Sequence, residues 1–141
     1  MSPDFESIHT FVKEALHDIE GGHDYWHAVR VCSLSEKIVQ TEPGNMNVVK
    51  AAALLHDVFD AKFYSGTPES VRQKLMEVLF PLGFEEHDIQ HIYDIIMNMS
   101  YKGGFAKENI DSPEFFIVRD ADRLDALGAI GIYRAFNYGG N

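Results

Sequence analysis

Apolar residues recur at intervals of three and four along almost the whole chain, the spacing of helices rather than strands. Ser2-Pro3 reads as an N-cap with proline in the first turn. Phe5, Ile8, Val12, Ala15, Leu16 and Ile19 follow, until Gly21-Gly22 stops that helix. Asp24 caps a second helix, whose inner stripe is His27, Val31, Leu34 and Ile38. Thr41 to Asn45, with Pro43 and Gly44, is a loop. The third helix carries Val48, Val49, Ala52, Leu55 and His56. After the loop Ser65-Gly66-Thr67-Pro68, Thr67 and Pro68 open a fourth helix with Val71, Leu75, Leu79 and Leu82 inward and Gly83 past its end. A fifth holds Ile89, Ile92, Ile95, Ile96 and Met99. A sixth starts at Ser112-Pro113-Glu114 and runs through Asp120 to Asp125 towards Arg134. Nowhere do four to eight residues alternate as a strand does, and there is no internal repeat, low-complexity tract or linker. The pattern predicts an all-α, single-domain bundle of about six helices.

One stretch breaks the pattern. Ala51-Ala52-Ala53-Leu54-Leu55 runs straight into His56-Asp57, with Asp60 and Lys62 within two turns. A histidine and a carboxylate are thus carried into what must be the interior, where an unpaired charge is costly. On a helix, consecutive residues point about 100° apart, so both can reach one ion lying between them. The plainer alternative is a core histidine hydrogen-bonded to its neighbour near a helix end.

Composition narrows the setting. A chain of 141 residues, 45% hydrophobic, is long enough for one buried core. The net charge of −10 argues against binding nucleic-acid polymers, which needs clustered Lys and Arg. It leaves room for a small phosphate substrate, because a metal can supply local positive charge. The single cysteine, Cys32, permits no intramolecular disulfide and suggests a reducing compartment. No apolar run has membrane-span length and no signal-like segment opens the chain, so a cytoplasmic location is expected, without membrane association. The sequence leaves the oligomeric state open.

The second helix supplies His23, Asp24, His27 and Arg30, with His27 on the apolar stripe. Late in the chain, Asp120, Asp122 and Asp125 crowd together among Ile117, Val118, Leu124 and Ala126. Three acids in an apolar neighbourhood are hard to explain as a solvated face; an acidic helix start, favoured by the helix dipole, is the plainer alternative, least so for Asp122. Three helices therefore each offer inward ligands: His27, then His56 and Asp57, then an Asp near 122. Two imidazoles and two carboxylates, with no thiolate, suit Mn²⁺, Fe²⁺, Co²⁺, Ni²⁺ or Mg²⁺ better than a structural zinc.

The ordered set His27, His56-Asp57, Asp122 resembles the signature of the HD-domain metal-dependent phosphohydrolase superfamily. The strings "HDYWHAVRV", "ALLHDVFDAK", "SYKGG" and "DADRLDALGAIGIYR" are similar to one branch of it, small bacterial HD hydrolases, some acting on nucleoside triphosphates. The likeness runs from about residue 20 to 140, and several spaced motifs agree in order. It implies that His27, His56, Asp57 and Asp122 hold one divalent ion, with Asp122 rather than Asp120 as the ligand. It implies a water-activating role for Asp60, and i+3 spacing from Asp57 keeps Asp60 on the same helical face. Arg30 and Lys62 then serve as phosphate contacts, and His23 and Lys102 line the pocket mouth.

The expected function is hydrolysis of a phosphate ester or anhydride, with a nucleotide as the leading substrate. A metal- or nucleotide-binding module without turnover is the alternative, and a helical bundle with a buried polar network is a third. Members of the branch generally continue beyond Tyr138-Gly139-Gly140, so the chain ending at Asn141 is expected to be shortened relative to them. The remaining polar and aromatic residues read as structural. His9, His17 and the pair His87 and His91 are surface groups, and Cys32 is a core or near-surface residue with no activating partner. Tyr25 and Trp26 are packing residues.

Overall fold

The computed structural model describes residues 2–18, 24–60, 64–99 and 111–139, with side chains followed to residue 128. Its elements, in order, are α1 (Phe5–Ala15), α2 (Tyr25–Val39), α3 (Met46–Leu55), α4 (Pro68–Leu79), a 3₁₀ turn at Phe80–Leu82, α5 (Glu86–Met99) and α6 (Pro113–Gly139). Among the described residues there is no strand, and the fold class is all-α as the periodicity predicts. No described helix is long and apolar enough to cross a membrane.

The first four helices each begin where a short polar side chain satisfies free N–H groups. Asp24 accepts from His27 N at the start of α2, Asn45 from Asn47 N and Val48 N at α3, and Thr67 from Ser70 N at α4. At α1 the cap is Asp4, not Ser2: its carboxylate accepts from Ser7 N and Oγ, and Pro3 stays outside the helix. A carboxylate at this end also meets the helix dipole more favourably than a hydroxyl. α1 ends at Ala15 rather than running to Ile19, and Leu16 turns out of the helix at φ −106°. α4 stops at Leu79, before Leu82, because Pro81 sits in the tighter turn that follows. Gly83 then takes φ 105°, a conformation open to glycine, and reverses the chain into α5.

The helix at the centre is α3, which packs against α1, α2, α5 and α6. Ala51 to Leu55 are all fully buried, so the C-terminal half of this helix is apolar around its whole circumference and belongs inside. Ile8 and Val12, Val31, Leu75 and Leu79, and Ile89, Ile92, Ile95 and Ile96 belong to the same core. Leu34, Ile38, Leu82 and Met99 are half-buried at the edge of this core.

Three side chains depart from their expected places. Trp26 is exposed rather than packed, whereas Tyr25 leans on the core. His9 lies 2.9 Å from the Tyr25 hydroxyl, part-buried at the α1–α2 boundary. His91 does not share the solvated face of His87: its Nε2 is 2.8 Å from Ser112 Oγ, and Glu114 Oε1 lies 3.7 Å away. The same Glu114 accepts from Asn45 N at 2.8 Å, so one carboxylate fastens the starts of α3 and α6 to α5.

Candidate metal centre

The core polar residues gather at the end of α3. Leu55 closes the helix, and His56 to Phe59 continue in tight turns, with Val58 N donating to Leu55 O and Asp60 N to Asp57 O. Asp57 and Asp60 therefore sit in turns just past the end of α3 and not on a regular helix. The chain tightens to i→i+3 bonding, as helix ends often do. Asp60 is nonetheless buried close to the pair, its backbone anchored to Asp57 on one side and Tyr64 N on the other.

His27, His56 and Asp57 are 5%, 4% and 4% exposed. One ligand atom from each lies within 4.8 Å of the other two. Asp57 Oδ2 is 3.6 Å from His27 Nε2 and 3.5 Å from His56 Nε2. From α6, Asp122 Oδ1 comes to 2.9 Å from His27 Nε2 and 3.4 Å from His56 Nε2. Asp120, two residues earlier, is turned to the surface beside Arg119. Asp122 thus joins the other three residues, and Asp120 does not.

The outer nitrogens of both rings are occupied. His27 Nδ1 donates to Asp125 Oδ2 at 2.6 Å, and His56 Nδ1 donates to the Ala53 carbonyl at 2.7 Å. These bonds fix the rings so that both Nε2 atoms point at the carboxylates of Asp57 and Asp122. Among the described residues, the buried His56 Nε2 has no hydrogen-bond partner. Two carboxylates facing two ring nitrogens need positive charge between them. Burial disfavours a charged His56, yet Asp122 and Asp57 outweigh it and push its pKa up to about 9. Burial likewise opposes charge on His27, and Asp122 and Asp125 still raise its pKa. The two rings are 5.5 Å apart, so protons on both would repel. A divalent cation satisfies all four groups at once and gives His56 Nε2 its partner, so the donor set fits such an ion.

Asp125 is the member that the sequence reading missed. It lies on the Asp122 face of α6, three residues on, and takes His27 Nδ1 with one oxygen and Arg30 Nε with the other, at 2.8 Å. Burial raises its pKa, but Arg30 and His27 outweigh that and lower it. The i, i+3 spacing was visible in the sequence, while the partner 98 residues away was not. Arg30 is about half-exposed at the rim. His23, Lys62 and Lys102 lie outside the described residues. Cys32 is buried, and burial pushes its thiol up to about 12.

Fold and site together define the class, an all-helical domain closed around a His-His-Asp cluster suited to a divalent ion. The chain belongs to the HD domain family, whose model matches residues 25–127. It is 40% identical over 140 residues to YpgQ of Bacillus subtilis (strain 168), covering 96% of this chain and 66% of that protein. It superposes on the crystal structure of B. subtilis YpgQ in complex with ADP with a TM-score of 0.70 and 34% identity, covering 96% of this chain and 64% of that one. The crystal structure of an HD-superfamily hydrolase from Bacillus thuringiensis gives 0.69 and 40%, with the same 96% and 64% coverage. The chain spans just under two thirds of the length of these relatives. Hydrolases of the HD superfamily are generally metal-dependent phosphohydrolases.

Proposed function

We propose that this chain is a divalent-metal-dependent phosphohydrolase acting on a nucleotide or a related phosphate ester or anhydride. The observation that carries the proposal is the paired orientation of His27 and His56. Each has its Nδ1–H committed to an acceptor and its Nε2 turned to Asp57 and Asp122. His27, His56, Asp57 and Asp122 would hold one ion of Mn²⁺, Fe²⁺, Co²⁺, Ni²⁺ or Mg²⁺, and the two carboxylates balance its charge. Such an ion supplies Lewis acidity toward a phosphoryl oxygen and lowers the pKa of water.

The chain's own groups do the rest. Asp60, buried beside Asp57, takes the proton of the attacking water as its oxygen bonds to phosphorus and the bond to the leaving oxygen breaks. Asp125 holds Arg30 through Nε, and the remaining N–H donors of the guanidinium fork bind a phosphate oxygen. Lys62, His23 and Lys102 complete the proposed set of substrate contacts, Lys62 as a point charge for the phosphates. The ADP complex of YpgQ supports a nucleotide as substrate. The lone cysteine suits a reducing, cytoplasmic setting.

The test is turnover. Nucleoside tri-, di- and monophosphates and simple phosphate esters are offered to purified protein with added Mn²⁺. Phosphate or pyrophosphate release from at least one nucleotide, lost with chelator and in His56→Ala, is the expected result. Metal-loaded protein that turns over none of them is a binding module, and the proposal fails.

A further inference from the structure

Trp26 is the chain's only tryptophan, and its side chain is 61% exposed. An indole is large and apolar, and it normally gains stability by burial. On α2 the buried side belongs to His27, Ala28 and Val31, which leaves Trp26 on the outer side. It is nevertheless held in place. The Tyr25 hydroxyl is hydrogen-bonded with His9 Nδ1 at 2.9 Å, and the Tyr25 ring meets the indole edge-on, with centroids 5.2 Å apart at 64°. Tyr25 thus braces the indole while most of its surface stays open to solvent.

Four residues further, about 6 Å along the axis, comes Arg30, on the same side of α2 and about half-exposed, its Nε fixed by Asp125. His27, between them, turns inward to the candidate metal centre. The outer side of α2 therefore presents an aromatic plate and then a guanidinium, beside a site suited to phosphate. A chain of net charge −10 repels a polyanionic nucleotide at long range. Stacking does not depend on that charge, and it is available to every base, because each has a π face.

We propose that Trp26 is the stacking plate for the base of a nucleotide whose phosphates lie at Arg30 and the His27–His56–Asp57 cluster. This rests on the phosphohydrolase reading and extends it to the nucleoside end of the substrate. Trp26 is then an affinity residue that selects nucleotides over inorganic polyphosphates, with little preference among bases.

The sole tryptophan makes the test direct. With Mn²⁺ present, ADP is titrated into the full chain while indole emission is followed, and pyrophosphate serves as the ligand without a base. Calorimetry measures both affinities in wild-type, Trp26→Ala and Trp26→Phe. Stacking predicts saturable quenching by ADP and none by pyrophosphate. Trp26→Ala should weaken ADP about tenfold or more and leave pyrophosphate unchanged, with Trp26→Phe recovering most of the loss. Calorimetric binding of ADP with unchanged emission and equal affinity in Trp26→Ala overturns the stacking role and leaves the phosphohydrolase reading standing. Emission that shifts with protein concentration and not with ADP shows a protein surface covering the indole, and also overturns it. Quenching with the predicted losses, but without hydrolysis of any nucleotide, supports stacking and overturns turnover alone.

Discussion

Asp125 and His27, 98 residues apart, meet at 2.6 Å between carboxylate and Nδ1. The bond holds the His27 ring with Nε2 towards Asp57 and Asp122, and the other Asp125 oxygen holds Arg30. One carboxylate outside the proposed ligand set thereby positions a candidate metal ligand and a candidate phosphate contact together. Carboxylates behind ligating histidines also raise the basicity of the ring.

Removing that charge tests the relationship. Asp125→Asn should keep the fold, because the amide occupies the same space, and should weaken Mn²⁺ binding about 10- to 100-fold. Titration of metal-free protein, followed by calorimetry, reads this out. Unchanged Mn²⁺ affinity would mean that the bond to His27 does not serve the metal.

Metal should couple the helices. The proposed ligands come from α2, the turn after α3, and α6, so an ion that binds only the folded form stabilises it by mass action. Chelation should lower the melting temperature and Mn²⁺ should restore it, with about 2.7 kcal/mol gained at a free concentration of 100 Kd. His56→Ala should lose most of both the metal and the shift. Full metal occupancy in both His56→Ala and Asp122→Ala would sink the ligand assignment.

Asp60 separates chemistry from binding. It is buried beside Asp57 but outside the proposed ligand set. Asp60→Asn should retain metal and substrate affinity and lose kcat by about 10²- to 10⁴-fold. Wild-type turnover in the variant would remove Asp60 from the reaction. Loss of metal would instead move it into the ligand set.

Glu114 gives a pH signature away from the centre. Burial raises its pKa, but the Asn45 N–H, His91 and Ser112 outweigh that and hold it below 4.5. A depressed carboxylate contributes stability that is present above the unfolded value and lost as pH falls through the folded one. Glu114→Gln should therefore cost about 1 kcal/mol near neutral pH, and the gap to wild-type should close below about pH 4.5. Denaturant midpoints across that range measure it. A gap that stays constant with pH would place the contribution of Glu114 in packing rather than charge.

The sequence by itself determined the helical class and most helix positions, because both are local. Spacing of apolar residues sets the buried face, and Asp24, Asn45 and Thr67 satisfy the free N–H groups that start α2, α3 and α4. It also singled out His27, His56 and Asp57, since a polar group on an apolar stripe is conspicuous wherever the chain goes, while the choice of Asp122 over Asp120 came from the family resemblance. Tertiary structure decided what those residues meet. Asp125 looks like part of an acidic helix start until α2 packs against α6 and brings His27 and Arg30 to it. His56 Nδ1 meets the Ala53 carbonyl at the C-terminal end of α3, and such a backbone acceptor leaves no trace in residue type. Trp26 reads as core by its chemistry, but His27, Ala28 and Val31 take the inner side of α2, and a helix can turn only one side inward.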